Sequence, residues 1–271
     1  MKKADSYNRL VWLPIVVVGA FLLAWAVAPT PAREPLLVIE IESSKALALL
    51  GCAAAALVFE PGEYLRRAWL LLGACTLLLF ARDVFALAAH PAKGETAALI
   101  IQGVFAIGGN GCSVVGTWML ARTWKVAGLD EKAAPGGNAL VAGAVVAAVL
   151  VTGWPVVTDI RALQGGDMFA VVPLASDLAD AIVVALLAPL ASTALALRGG
   201  VLRWPWVFLT TSGLLWLAFD VAYVGLGAAH VDPARAHAML EAMRALPTLY
   251  AFSAGLSQRN ILAMGTMASV S

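Results

Sequence analysis

Nine charged residues sit inside long apolar stretches of this sequence: Glu42, Lys45, Arg82, Asp83, Asp177, Asp180, Asp220, Glu241 and Arg244. A charge held at the centre of a bilayer costs about 2.5–3.5 kcal/mol even on the gentler insertion scales, so such residues mark ion pairs, proton relays or ligand sites. Three pairs, Glu42 with Lys45, Asp177 with Asp180 and Glu241 with Arg244, are spaced i,i+3 and so share a helix face. Six of the nine are acids and three are bases. Fully ionised, the set would be net negative by three. Crowded like charges disfavour full ionisation, so some of these carboxylates should carry a proton or hold a cation. Ser43, Ser44, Ser176, Tyr223 and Tyr250 stand close by in sequence register and would add neutral hydrogen-bonding groups.

The elements that carry these residues must be membrane helices. Of 271 residues, 61% are hydrophobic and 13% charged, whereas a soluble domain is about half apolar and about a quarter charged. Eight apolar stretches can be marked, at 10–28, 37–58, 68–89, 96–121, 139–157, 169–197, 204–228 and 236–257. Proline and glycine punctuate the breaks, as at Pro29, Pro61-Gly62, Pro91, Pro135-Gly136-Gly137, Gly165-Gly166 and Gly199-Gly200. Backbone groups in lipid must be satisfied locally, so runs of this length are helices. The first is long enough to span, and is read as a retained helix rather than a secretory signal.

Orientation follows from the bases. With the N-terminus inside, eleven of the 18 Lys and Arg residues fall in cytoplasmic segments, four in outer loops and three within spans. That bias predicts both ends in the cytoplasm. The nine intramembrane charges then lie on the outer side of the midplane. Asp220 is eight residues short of the outer end of its stretch, or about 12 Å deep at about 1.5 Å per residue. Glu40, in the first turn of its stretch, is expected in water. Two readings stay open. Buried ion pairs, such as Arg244 with Asp220 or Lys45 with Asp83, would hold five helices in register. Alternatively, the charges line one pocket, open to the periplasm, that binds a polar or cationic ligand or passes protons. The acid excess favours the pocket.

A weak internal repeat accompanies this pattern. Arg82-Asp83 and the following Ala88-Ala89-His90-Pro91 match Phe219-Asp220 and Ala228-Ala229-His230, with Pro233 near. Glu42 and Lys45 match Asp177 and Asp180 in the preceding helices. The halves, 1–128 and 138–271, would be parallel repeats of four helices each.

Other chemistries lack their residues. Cys52, Cys75 and Cys112 lie in apolar runs without metal-ligand spacing and read as small packing residues. His90, His230 and His237 fall at helix ends, too near the edge of the bilayer to hold a haem. No lysine stands in the last span for a retinal Schiff base. There is no HExxH, nucleophile elbow or Walker motif. Gly108, Gly109, Gly111 and Gly116 suit close helix packing rather than phosphate binding. A net charge of +1 without a basic stripe argues against nucleic acid.

The stretch Gly213-Leu214-Leu215-Trp216-Leu217-Ala218-Phe219-Asp220-Val221-Ala222-Tyr223 reads G-x-x-W-x-x-x-D-x-x-Y. It resembles helices of the multi-pass input domains that precede bacterial histidine kinases and diguanylate cyclases. Around Asp83 the pattern departs, with Leu79 for the tryptophan and Ala86 for the tyrosine. The resemblance implies an outward-facing sensor whose carboxylates and aromatics line a ligand site. No kinase or cyclase follows, so the output is expected to lie in a separate signalling partner.

Together these features predict an all-α polytopic transmembrane bundle of eight helices, a single integral membrane domain over 1–271 in a bacterial inner membrane. The expected function is a non-enzymatic sensor or interaction protein without cofactor, metal or catalytic residue. Its expected partners are the lipid bilayer, a small polar or cationic ligand and a signalling protein. The alternatives are a small proton- or cation-coupled transporter or channel acting through Asp177, Asp180 and Asp220, and, third, an intramembrane enzyme using paired carboxylates.

Overall fold

In a computed structural model the backbone is described for residues 2–93, 95–126, 137–197, 200–228 and 233–268. Some side chains within these ranges, those of Asp220 and Tyr223 among them, lie outside the described residues. The described chain forms eight α-helices: α1 (Lys2–Val27), α2 (Thr30–Ala56), α3 (Tyr64–Lys93), α4 (Glu95–Val126), α5 (Gly137–Gln164), α6 (Val171–Ala196), α7 (Trp204–Ala228) and α8 (Pro233–Ala268). Each expected stretch coincides with one helix, and several helices run past their apolar stretch. The shortest, α7, has 25 residues. At about 1.5 Å per residue it exceeds a hydrocarbon core of about 30 Å.

Five helices contain segments long and apolar enough to cross a membrane: Arg9–Val27, Tyr64–Phe85, Thr96–Thr123, Ala142–Gln164 and Met168–Ser192. Large apolar side chains cover their outsides, with Leu23 72% and Leu150 76% exposed. Water would penalise such surfaces and lipid does not. The chain is thus a polytopic membrane protein built from helices. It divides into two compact units, Met1–Val58 with Leu197–Ser271, and Phe59–Ala196.

In the first unit α1, α2 and α7 each pack on α8. Helix α2 runs parallel to α8. Glu34 meets His237 at 3.5 Å near the start of both helices, and Gly51 meets Phe252 and Gly255 further along. A Cβ on Gly51 would lie 2.8 Å from the Phe252 backbone, and one on Gly255 would strike the Gly51 carbonyl. Ala48, Ala55, Ala245 and Ala254 are fully buried in this unit, so small residues let the two backbones approach. Helix α1 is antiparallel to α8: the Tyr250 hydroxyl donates to the Val11 carbonyl (3.0 Å) and Ser253 Oγ to the Leu10 carbonyl (3.2 Å). Val18 packs against Ala242, Ala245 and Leu249. Helix α7 is antiparallel too, with Ser212 Oγ donating to the Pro247 carbonyl at 2.8 Å. The start of α1 and the end of α8 therefore lie at one end of this unit.

In the second unit α3 and α4 are antiparallel. Gly109 faces Cys75 and Leu79, Gly116 faces Ala68 and Leu72, and the Phe85 and Phe105 rings stack at 5.7 Å. Helix α6 lies parallel to α4, with Gly103 against Val172 and Asn110 Nδ2 donating to Ser176 Oγ at 2.7 Å. Helix α5 pairs antiparallel with α6 through a tight turn. Gly166 (φ +94°) takes the left-handed conformation that ends α5, and the Asp167 carboxylate accepts from the Phe169 N–H at 3.0 Å.

The two units share a plan. Each contains a hairpin of consecutive helices, α7–α8 or α3–α4, whose second member lies parallel to a further helix, α2 or α6. The units interleave the sequence halves: α1 and α2 join α7 and α8, while α3 and α4 join α5 and α6.

Candidate functional site

In the first unit α2 carries Glu40, Glu42 and Lys45 about its middle, and α8 carries Glu241 and Arg244 in its first half. Pro29 holds an extended backbone (φ −62°, ψ 148°) before Thr30 and so starts α2 well before the apolar stretch. Glu40 therefore lies in the third turn of a helix rather than in its first. It belongs to the buried stripe Leu37, Glu40, Ile41, Ser44, Ala48, which repeats every three to four residues. Glu40 is 2% exposed, and its Oε1 has no hydrogen-bond partner among the described residues. The expectation that this carboxyl lies in water is corrected: the earlier start of α2 turns Glu40 into the packing face. From α8 another acid, Glu241, lies within its electrostatic reach.

The bases of this region pair within their own helices. Lys45 Nζ donates to Glu42 Oε1 at 2.7 Å. Arg244 Nη1 donates to both carboxylate oxygens of Glu241, at 2.9 and 3.0 Å. The neighbouring hydroxyls serve backbone carbonyls. Ser43 donates to Glu40 O (3.0 Å), Ser44 to Ile41 O (2.8 Å), and Tyr250 is tied to α1. Helix α7 brings Asp220 and Tyr223 into this unit, but their side chains, and with them the expected Arg244–Asp220 pair, lie outside the described residues.

The second unit holds Arg82, Asp83, Asp177 and Asp180. Arg82 Nε pairs with the adjacent Asp83. Asp177 of α6 is influenced most closely by Asp159 of α5. Asp159 Oδ2 is buried without a hydrogen-bond partner among the described residues. Sequence reasoning missed Asp159 because the fifth stretch ended at 157, where polar residues begin. Helix α5 continues to Gln164. The signal was present: Gly165-Gly166 is the helix stop, and reading α5 up to it puts Asp159 one turn and a half inside. Deeper in this unit Cys75 of α3 meets Cys112 and Ser113 of α4, with Asp180 of α6 in electrostatic reach. All three cysteines are free thiols. Among the described residues no group of three His, Cys, Asp or Glu side chains could hold a metal ion.

In the second unit Arg82, Asp83, Asp159, Asp177 and Asp180 lie toward one end of the helices, whereas in the first Glu40, Glu42 and Lys45 lie about the middle of α2 and Glu241 and Arg244 in the first half of α8. The structure brings together Glu42 with Lys45, Glu241 with Arg244 and Glu40, Arg82 with Asp83, and Asp177 with Asp159. It divides the nine predicted residues between the two units. Chemically, such carboxyl-rich regions can take up protons or cations and orient polar ligands. No family model, curated protein or solved structure matches the chain.

Proposed function

We propose that this protein is a non-enzymatic membrane sensor or interaction protein of a bacterial inner membrane, with both ends in the cytoplasm. Its acid-rich regions face outward and take a small cationic or polar ligand. One observation carries the reading. Lys45, Arg82 and Arg244 each pair with an acid on their own helix, while Glu40, Asp159 and Asp177 have no ion pair among the described residues. A scaffold of ion pairs would balance its charges, because an uncompensated charge in a dry site is costly. An excess of acid is what a site for a positive ligand requires. A signalling partner would read the resulting change in helix packing.

Coupled transport is the second reading, favoured by the Asp159–Asp177 carboxyl pair across α5 and α6, a suitable waystation for a proton or cation. A sensor binds without flux; a transporter shows flux into proteoliposomes that Asp177→Asn abolishes.

Single substitutions Asp177→Cys, Asp180→Cys, Asp220→Cys and Arg244→Cys in a cysteine-free background test access from outside. A membrane-impermeant thiol reagent applied to intact cells should label them. If outer-turn controls label and none of these four does, the acid-rich regions are sealed and the outward site is excluded.

A further inference from the structure

We infer that Cys75 and Cys112 form a dithiol site in the second unit, which a lipid-soluble quinone oxidises to a disulfide between α3 and α4. The register of the two helices places the thiols opposite each other. A Cβ on Gly109 would lie 3.5 Å from the Cys75 carbonyl oxygen and 3.4 Å from Leu79, and one on Gly116 would lie 3.2 Å from the Ala68 carbonyl oxygen and 3.1 Å from Leu72. Seven residues forward on α4 therefore match seven backward on α3 in both contacts. Cys112, three residues past Gly109, falls level with residues 72–76 of α3. Positions 109, 112 and 116 share one face of α4, and positions 68, 72, 75 and 79 share one face of α3. Both cysteines thus stand on the facing stripes, and the Ser113 hydroxyl, next to Cys112, reaches the Cys75 sulfur. A disulfide needs Cα atoms about 4.4–6.8 Å apart, and glycine contacts of this kind bring helix backbones that close.

Depth selects the oxidant. Cys75 lies at the middle of the span Tyr64–Phe85, and Cys112 within a turn of the middle of the span Thr96–Thr123. Half of a hydrocarbon core of about 30 Å puts about 15 Å of lipid between them and water. Glutathione disulfide is too polar, and a soluble dithiol protein too large, to reach that level, whereas a quinone with an isoprenoid tail resides there. Cys75 and Cys112 are partly exposed, while Cys52 is buried and has no second cysteine in its unit. The reaction balances without water. Two S–H bonds break and one S–S bond forms, so the thiols lose two protons and two electrons. The quinone takes up both electrons, its two carbonyl oxygens take the two protons, and it leaves as the hydroquinone. The new bond fastens α3 to α4 along the stripe that carries Gly109 and Gly116, so the packing of this unit records the oxidation state of the quinone pool.

The thiol pair shares no residue with the acid-rich regions, so the two stand or fall separately. For the test, the full chain would be reduced, placed in nanodiscs and given a fully substituted benzoquinone with an isoprenoid tail, whose ring has no free position for thiol addition. Free thiols would be counted after denaturation by their mass shift with a polyethylene glycol maleimide. Mass spectrometry of unreduced peptides would read the pairing. The three free thiols should fall to one, with one hydroquinone formed per chain and Cys75 joined to Cys112. Cys75→Ser and Cys112→Ser should each keep their remaining thiols and form no hydroquinone, and Cys52→Ser should oxidise as the unaltered chain does. Glutathione disulfide in place of the quinone should act at least about tenfold more slowly, because exchange requires access to the sulfur. Three thiols retained in the presence of the quinone, or a disulfide that does not join Cys75 to Cys112, overturns the inference. Equal rates with glutathione disulfide overturn the choice of oxidant. The thiol count of the unaltered chain decides this even if a serine variant does not fold.

Discussion

Arg244 donates two hydrogen bonds to Glu241 one turn away on α8, and the two side chains are 23% and 16% exposed. At that burial the pair is partly desolvated, so its value lies in not leaving either charge alone. Breaking a fully buried pair costs about 3–5 kcal/mol, whereas replacing both partners together can be neutral. Arg244→Leu should therefore destabilise the protein by about 2–3 kcal/mol, because Glu241, within electrostatic reach of Glu40, would then lose its paired guanidinium. The same substitution beside Glu241→Gln should cost at most about half as much. Equal costs in the two backgrounds, read from denaturation of the purified protein in detergent, would rule out the coupling.

Single residues also show where sequence reading stopped short. The spacing of Glu42 with Lys45 and of Glu241 with Arg244 made both pairs legible, since i,i+3 neighbours meet on any helix. Glu40 and Asp159 were not. Their depth depends on where α2 begins and α5 ends, and helix ends follow from caps and turns rather than from hydropathy. Gly165-Gly166 recorded the end of α5 plainly; Thr158, Asp159, Arg161 and Gln164 masked it.

At the scale of elements, the parallel crossing of α2 and α8 rests on the absence of side chains. A Cβ at Gly255 would meet the Gly51 backbone, whereas one at Gly19, Gly143 or Gly153 would meet nothing within 4 Å. Gly255→Val should cost about 1–3 kcal/mol or more by overpacking, and should disturb the Glu40–Glu241 region on the same seam. Gly153→Ala should be neutral or stabilising by a few tenths of a kcal/mol, since alanine is the better helix former by about 1 kcal/mol. Thermal denaturation of the two variants side by side checks this; similar midpoints would mean the seam is looser than the structure has it. The glycines of α4 behave alike, since Gly109 and Gly116 admit α3. That α4 would pack closely on a neighbour was readable from its glycines. Which neighbour it would be was not.

For the whole molecule, the interleaving of the two units makes the halves of the chain interdependent. Each unit takes two helices from before the long inner connection and two from after it. Residues 1–128 and 138–271, expressed as separate fragments, should each fail to complete either unit. Expressed together they should co-purify through a tag on one of them and resist proteolysis as the intact chain does. Protease resistance of either fragment alone would show that it folds by itself, against this division.

The sequence by itself determined that the chain lives in lipid and that its spans are helices. Apolar runs of this length in a medium without water must satisfy their backbone locally, and hydropathy alone reveals them. It also determined that acids outnumber bases within those spans. Tertiary structure decided which helices are partners, that Glu40 is buried within electrostatic reach of Glu241 and that Asp177 lies beside Asp159. The physical reason is that a helix apolar on every side has no preferred face: lipid and protein interior are equally apolar solvents, so association is left to close packing and polar contacts. Those depend on shape across helices distant in sequence, such as Gly51 against Gly255, and no local pattern encodes them.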